Sequence, residues 1–192
     1  MKIGIFGGSF NPIHIGHAIL ARYVVENCDI DELWFMVTPT SPFKDGETDD
    51  ETDFHRLSMA EMVSCRISRT LTSAFEFELP RPSFTIHTLN ALKDEFPDDE
   101  FSLIIGADNW AVFPKWKDAD EIIANHHIYV YPRRGFDTPM PENLSQQVTL
   151  ISAPLIEVSS TDIRNRVKNG ESIDFLVPKD VNEYIEEYQL YK

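Results

Sequence analysis

The sequence predicts an α/β fold, a doubly wound parallel sheet of five to six strands with helices on both faces. Short continuous apolar runs alternate along the chain with segments in which apolar residues recur every three to four positions. Continuous apolar runs are typical of parallel strands, because such strands are buried on both faces. The 192 residues suit a single domain, and we find no repeat or linker that would divide them.

Six apolar runs are predicted as strands: Lys2–Phe6, Leu33–Val37, Ala74–Phe77, Phe101–Ile105, Ile128–Tyr131 and Val148–Ile151. Helical periodicity predicts four helices between and after them: Ile15–Glu26, His55–Ile67, Phe84–Glu95 and Lys179–Tyr188. A fifth helix is predicted from about residue 159, where hydroxyl residues provide an N-cap. In a sheet of this kind we expect ligands at the carboxyl ends of the strands.

Composition limits the classes of partner. The net charge is −15 at pH 7 and the isoelectric point is about 4.7, so nucleic acid and anionic membranes would repel the chain. Cys28 and Cys65 have neither metal-binding nor disulfide spacing, which predicts buried free thiols of a cytoplasmic protein. Six acids within residues 45–53 predict a solvated loop or, alternatively, a lid over substrate. The sequence is compatible with a homo-oligomer without predicting one.

The most informative motif follows the first predicted strand and reads Gly7-Gly8-Ser9-Phe10-Asn11-Pro12-Ile13-His14-Ile15-Gly16-His17. Its glycines allow the backbone to approach a phosphate, and the N–H groups of the following helix attract the same anion. His14 and His17 are three positions apart, so both imidazoles can point at one phosphoryl group. Imidazoles donate hydrogen bonds and can be protonated near neutral pH. The alternatives are a glycine turn with incidental histidines and a metal site, although no third ligand lies nearby.

A second anion site is predicted near the C-terminus, in Val158-Ser159-Ser160-Thr161-Asp162-Ile163-Arg164. The hydroxyl residues are typical of a helix N-cap, and Arg164 lies about one turn into the helix, beside the same end. Open N–H groups together with an arginine can hold a phosphate. The same pattern also fits a capped surface helix with a solvated arginine.

These motifs resemble those of the nucleotidylyltransferase superfamily. Gly-Gly-x-Phe-x-Pro-x-His-x-Gly-His is similar to its first signature, and within the superfamily it looks like bacterial nicotinate-nucleotide adenylyltransferase. The later motif resembles the family's Ser-Ser-Thr-x-Ile-Arg element, which binds the ATP phosphates. The resemblance implies a Rossmann-like fold in which residues 1–192 form one domain and a C-terminal helical segment from about residue 159 completes the phosphate site. It also implies three residues acting on the phosphates, His14, His17 and Arg164, and nine that bind ATP: Gly7, Gly8, Ser9, Phe10, Gly106, Asp108, Ser159, Ser160 and Thr161.

The middle of the chain resembles the family's two nucleoside sites. Gly106-Ala107-Asp108 is similar to a Gly-Ala-Asp element at the adenosine, with a plain strand-to-helix turn as the alternative. Trp110 and Trp116 are candidates for stacking on a pyridine ring, or else core aromatics. Pro82–Leu89 resembles the family's Ser-Tyr-Thr-x-Asp-Thr-Leu element, which places Thr85 beside the pyridine carboxylate.

Two residues of the chain depart from the family's motifs, and two basic residues match them. Phe84 stands where the family has tyrosine, and His87 stands where it has aspartate, so His87 is either a site residue or a packed helix-face histidine. Lys44 lies in a segment similar to the family's Pro-x-Lys loop and is expected to reach a substrate phosphate. Arg133 matches the start of its Arg-Pro-Gly turn and is expected at the mononucleotide, with a solvated surface charge as the alternative.

The resemblance implies adenylyl transfer from ATP to nicotinate mononucleotide, which gives deamido-NAD and pyrophosphate. A phosphomonoester has a second pKa near 6, so the nucleophile is already ionised at pH 7 and needs alignment and charge stabilisation rather than a base. Mg²⁺ is the expected cofactor, held by the nucleotide phosphates because we see no acidic pair placed to bind it. The alternatives are nicotinamide mononucleotide or another phosphomonoester such as phosphopantetheine as acceptor, and a non-catalytic nucleotide-binding module.

Overall fold

The computed structural model describes residues 1–39, 50–136 and 146–192, with only the backbone of residues 50 and 51. The described strands are β1 Lys2–Gly8, β2 Glu32–Val37, β3 Thr70–Ser73, β4 Glu100–Gly106, β5 Ile128–Tyr131 and β6 Val148–Leu150. The described α-helices are α1 Ile15–Asn27, α2 Asp50–Ser64, α3 Thr85–Glu95, α4 Ala107–Val112, α5 Ala119–Asn125, α6 Ser160–Lys168 and α7 Lys179–Glu187. None of these helices is long and apolar enough to cross a membrane.

The strands form one parallel sheet in the order β3-β2-β1-β4-β5-β6, which confirms the predicted fold class. The strand order changes direction between β1 and β4, and this point is where doubly wound sheets bind ligands. β1 and β4 pair from Lys2 opposite Glu100 to Ile5 opposite Leu103. Within the described residues their last three positions, 6–8 and 104–106, are not paired with each other. The sheet therefore opens into a crevice at this edge.

Two apolar clusters cover the two faces of the sheet, as the alternation of side chains along a strand requires. Ile3 and Ile5 of β1 face one cluster, together with residues of α3 and α5. Phe6 faces the other, together with α1 and α2. Ile163 of α6 and Ile185 of α7 also belong to this second group. The C-terminal helices are thus packed on the same face as α1, beside the first motif.

The predicted strand Ala74–Phe77 is wrong. The third strand lies earlier, at Thr70–Ser73, where it pairs with β2, and Phe75–Glu78 forms a 3₁₀ helix. The alternation of phenylalanine and glutamate resembles that of a half-buried strand. Here, however, these residues form a helical turn directly after the edge strand β3. Phe75 packs against one apolar cluster and Phe77 against the other.

Three smaller expectations also change. Helix α2 begins and ends earlier than the predicted segment His55–Ile67. Asp53 belongs to this helix and is 3% exposed, paired with Arg56, so this acid is not solvated. Residues 45–49, the rest of the predicted acidic loop or lid, lie outside the described residues. Cys65 is exposed rather than buried, and Cys28 is half-buried; both are free thiols.

Candidate active site

Two cavities open where β1 and β4 separate. The first has a volume of about 400 Å³ and lies beside α1, the start of α4 and the start of α6. The second has a volume of about 190 Å³ and extends from Gly7 and Gly8 to Thr85 and Trp116. Tyr131, at the end of β5, lines both. The crevice predicted from the sheet order therefore holds two neighbouring compartments.

Polar contacts from other elements attach the loop from Gly8 to His14, and three of them are side-chain hydrogen bonds to its carbonyl oxygens. Ser9 carbonyl oxygen accepts a 2.6 Å hydrogen bond from Arg56 of α2. The carbonyl oxygens of Asn11 and Pro12 accept hydrogen bonds from Arg164 Nη1 at 2.6 Å and Ser160 Oγ at 2.9 Å. The last two hydrogen bonds join residues that are 153 and 148 positions apart along the chain. They therefore bring the two predicted anion motifs together.

Phe10 differs from the other residues that the resemblance assigns to ATP. Its backbone has φ +46°, in the left-handed region, and its ring is 2% exposed. The ring packs edge-on against Phe6, Phe35 and His17, with centroids 5.6, 5.5 and 5.0 Å away. Only the backbone of Phe10 is therefore available to a nucleotide, and its side chain supports the ring of His17.

His14 and His17 form a stacked pair at the start of α1. Their ring centroids are 3.7 Å apart with an angle of 21° between the planes. His17 Nδ1 accepts a 3.2 Å hydrogen bond from the backbone N–H of His14, so the proton of a neutral His17 ring is on Nε2. Gly16 permits this arrangement, since a Cβ there would lie 3.0 Å from the His14 ring. Both rings line the first cavity, where His17 presents an N–H donor.

Burial disfavours the charged form of both imidazoles, so protonation near neutral pH, which the sequence left open, is not favoured here. Burial lowers the pKa of His14 to about 4, with a smaller contribution from the charge of Arg133. Burial also lowers the pKa of His17 well below its ordinary value, followed by the effects of His14 and Arg133. We infer that the pair stabilises phosphate charge through neutral N–H donors.

These pKa shifts predict a loss of stability in acid. An unfolded histidine binds a proton below about pH 6.5, whereas folded His14 does so only near pH 4. The free energy of unfolding should therefore decrease by an amount on the order of 2–3 kcal/mol as the pH falls through this window. Urea unfolding at several pH values should show a smaller loss in His14→Gln than in the wild type. Equal losses in both proteins would contradict the shift.

The start of α6 carries the second motif, and its hydroxyl groups have different partners. Ser159 caps the helix: its Oγ accepts from the backbone N–H of Asp162 at 3.1 Å. Ser160 binds the Pro12 carbonyl, and exposed Thr161 accepts from Arg164 Nη2 at 3.3 Å. Ser159 lines the first cavity. Arg164 thus binds the first loop as well as its own helix, but it lines neither of the two cavities.

Gly106 and Asp108, which the Gly-Ala-Asp resemblance assigns to adenosine, lie at the end of β4 and the start of α4. Gly106 is the N-cap of α4, and a Cβ there would collide with the Asp108 carboxylate and approach Arg133 to 3.2 Å. Arg133 Nε is 3.6 Å from Asp108 Oδ1, and its Nη2 donates to Tyr131 Oη at 3.2 Å. Arg133, expected at the mononucleotide, thus lines the first cavity with Asp108 and is not among the residues around the second.

The remaining candidates for the mononucleotide are separated by the structure. Thr85 and Trp116 line the second cavity, at the start of α3 and after α4. Trp110 does not line either of the two described cavities; it is partly buried against the core and stacks on Phe113 with centroids 5.2 Å apart. Lys44 lies outside the described residues.

The sequence analysis missed Arg56 and Glu76. Arg56 is 1% exposed, forms a buried ion pair with Asp53 and donates to the carbonyl oxygens of Ser9 and Thr38. Glu76 is buried on the wall of the second cavity, where Thr88 Oγ1 donates to it at 2.7 Å, and burial raises its pKa. The sequence signal for Arg56 was a charged residue inside an apolar helical pattern. This pattern does not reveal which residues Arg56 contacts in the folded protein.

The described residues of the site do not form a metal centre. Within the parts of the chain that the structure describes, no three histidine, cysteine or acidic side chains are grouped closely enough to hold a metal ion. Asp108 is paired with Arg133, and Asp162 accepts from Ser159 Oγ at 2.6 Å.

Comparison with known proteins gives the family. Residues 5–166 match the model of the cytidylyltransferase-like family. The chain is 44% identical over 193 aligned residues to a probable nicotinate-nucleotide adenylyltransferase of Flavobacterium psychrophilum, with 100% of both chains covered. The chain belongs to the nicotinate-nucleotide adenylyltransferase family. A second relative of the same name, from Bacteroides fragilis, is 48% identical over 176 residues, which cover 92% of this chain and 87% of that one.

Solved structures support the fold of this nicotinate-nucleotide adenylyltransferase family member. The nicotinic acid mononucleotide adenylyltransferase of Plasmodium falciparum, complexed with NaAD, superposes with a TM-score of 0.77. The alignment covers 99% of this chain and 97% of that chain at 20% identity, so it bears on the architecture alone. The resemblance found in the sequence motifs is confirmed by the full-length relatives.

Proposed function

We propose that the protein transfers the adenylyl group of ATP to nicotinate mononucleotide and forms deamido-NAD and pyrophosphate. The observation that carries this proposal is the position of one motif between two cavities. Its stacked imidazoles, His14 and His17, line the first cavity, and the glycines at its beginning line the second cavity. The phosphates of two nucleotides can therefore meet at the end of β1. The full-length relatives named nicotinate-nucleotide adenylyltransferase support the same reaction.

In this reaction a 5′-phosphate oxygen of the mononucleotide forms a bond to the α-phosphorus of ATP. The bond between that phosphorus and the α–β bridging oxygen breaks, and pyrophosphate leaves with the electron pair. Because the attacking phosphate is already ionised at neutral pH, the protein needs to align the two nucleotides and stabilise charge. His17 Nε2–H donates to the transferring phosphoryl group, with His14 stacked behind it.

The C-terminal helical segment completes the phosphate site in this proposal. Arg164 and the N–H groups at the start of α6 hold the β and γ phosphates, because the contacts to Asn11 and Pro12 place this helix end beside the first motif. Adenosine occupies the first cavity beside Gly106 and Asp108, and the pyridine ring occupies the second beside Thr85 and Trp116. The second cavity is smaller than the roughly 300 Å³ of a drug-sized site, which suits a single ring.

Mg²⁺ is proposed as the cofactor, bound by the nucleotide phosphates, where it would neutralise charge on the leaving pyrophosphate. We expect excess EDTA to abolish pyrophosphate release and added Mg²⁺ to restore it. Full activity in EDTA, after dialysis of enzyme and substrates against chelator, would contradict a metal requirement.

We also expect a cytoplasmic enzyme, in keeping with its free thiols.

The substrate assignment is tested by pyrophosphate release from ATP with the purified full-length chain. Nicotinate mononucleotide should support release and yield a product with the mass of deamido-NAD. ATP alone and ATP with phosphopantetheine serve as controls. Release with phosphopantetheine and not with a pyridine nucleotide would overturn the assignment, and no release with any acceptor would favour a non-catalytic nucleotide-binding module.

A further inference from the structure

Lys117 carries a positive charge in a cavity that shares two lining residues with the second cavity. It directly follows Trp116 and lines a third cavity of about 330 Å³ between the start of α3 and the segment after α4. Thr85 and Trp116 line this cavity as well as the second. The second and third cavities therefore share the two residues proposed to contact the pyridine ring, and Lys117 lies next to these residues.

Two neutral groups hold the ammonium of Lys117 in place. Its Nζ is 2.9 Å from His87 Nε2 and 5.0 Å from the centroid of the Phe84 ring. An ammonium can only donate, so His87 Nε2 accepts the hydrogen bond and its ring is neutral. The face of Phe84 attracts the cation through its negative quadrupole. Both contacts restrict the position of the ammonium and leave its charge uncompensated.

No carboxylate of the described residues forms an ion pair with Lys117, although the chain has 32 acidic and 17 basic residues. Lys2 and Lys179, by contrast, pair with Asp29 and Glu183. Lys115, which lines the same third cavity, resembles Lys117 in forming no ion pair with a described carboxylate, but only Lys117 has its ammonium held by both His87 and Phe84. A cation that is held in position beside a ligand cavity without a counter-ion is suited to bind an anionic group of the ligand.

We propose that Lys117 pairs with the carboxylate on the pyridine ring of the acceptor, and that His87 positions its ammonium for this contact. The inference rests on the proposed function, because it assigns the residue that distinguishes a nicotinate nucleotide from a nicotinamide nucleotide. A nicotinamide ring has a neutral amide in place of the carboxylate and gains nothing from the charge. Lys117 is a specificity residue, and His87 is a positioning residue.

Lys117→Met tests the charge while the aliphatic side chain keeps its contact with Phe84. We expect KM for nicotinate mononucleotide to rise by about 10-fold or more, as for loss of a hydrogen bond to a charged group. KM for ATP and kcat should change less than about 2-fold, and Lys117→Arg should retain the wild-type preference. Lys179→Met removes the same charge from an ammonium-bearing side chain that is 86% exposed on α7, and is expected to behave as wild type.

The nicotinamide nucleotide separates recognition of the ring from recognition of the phosphate. Its KM, or its inhibition constant against nicotinate mononucleotide where turnover is too slow, should be unchanged in Lys117→Met. Equal weakening of both nucleotides would assign Lys117 to their common phosphate and overturn the proposal. No effect on either would overturn it as well.

His87 variants test the positioning role. His87→Gln keeps a neutral acceptor and should stay within about 2-fold of the wild type. His87→Glu supplies an internal carboxylate that pairs with Lys117, so it should raise KM for nicotinate mononucleotide as Lys117→Met does. A wild-type KM in His87→Glu would contradict the role. If the wild-type chain uses neither pyridine nucleotide, the proposed function fails; if it is active and only these variants behave as wild type, the Lys117 inference alone fails.

Discussion

His17→Ala should lower kcat for pyrophosphate release by about 10²–10³-fold at saturating substrates, the usual cost of removing one donor to developing charge. The hydrogen bond from the His14 backbone to His17 Nδ1 leaves Nε2–H as the free donor of a neutral ring. Alanine removes this donor, whereas the nucleophile, which is already ionised, needs no substitute base. KM for both substrates should change much less than kcat, since the contact strengthens in the transition state.

His17→Gln provides the control for this prediction. Its amide nitrogen can lie close to the position of Nε2 and donate, so we expect at least about 10-fold higher kcat than in His17→Ala. Because His17 also packs against Phe10 and His14, unfolding of each variant should be measured in parallel. Near-normal turnover in a folded His17→Ala enzyme would show that His17 does not act on the phosphoryl group.

Arg56→Met should reduce the free energy of unfolding by about 3–5 kcal/mol, the range for removal of one partner of a buried ion pair. Both side chains of the pair are almost completely buried, at 2% and 4% exposure for Arg56 and Asp53. The substitution takes the guanidinium away from Asp53 and removes the donor to the carbonyl oxygens of Ser9 and Thr38. The loop that leads to His14 is therefore expected to lose its attachment to α2. Urea denaturation measures the loss.

Arg22→Met is the matched control. Arg22 forms an exposed i,i+4 pair with Glu26 on α1, so its removal should cost less than about 1 kcal/mol. Arg56→Lys keeps the charge but not the several donors of the guanidinium, and should lie between the two. A loss below about 1 kcal/mol in Arg56→Met would contradict a stabilising role for the buried contacts of Arg56.

Much of the fold could be predicted from local patterns. Apolar runs and helical periodicity gave the strand–helix order, since these periods depend on which faces of each element are buried. The strand at Ala74–Phe77 was misplaced because Phe75-Glu76-Phe77-Glu78 has the alternation of a strand, whereas its side chains pack on both faces of the sheet from a turn. Alternation alone does not distinguish these arrangements.

The sequence by itself determined the family motifs, and with them the two histidines, the glycine pair that precedes them and the reaction that the family implies. Only the tertiary structure decided which other residues join them. Arg56 reaches Ser9 across 47 residues, and Lys117 reaches His87 across 30. Likewise Trp116 lines the cavity while Trp110 packs against the core. The physical reason is that periodicity and capping record the burial of a segment, whereas the partner of a charge or an aromatic ring is set by how distant segments pack.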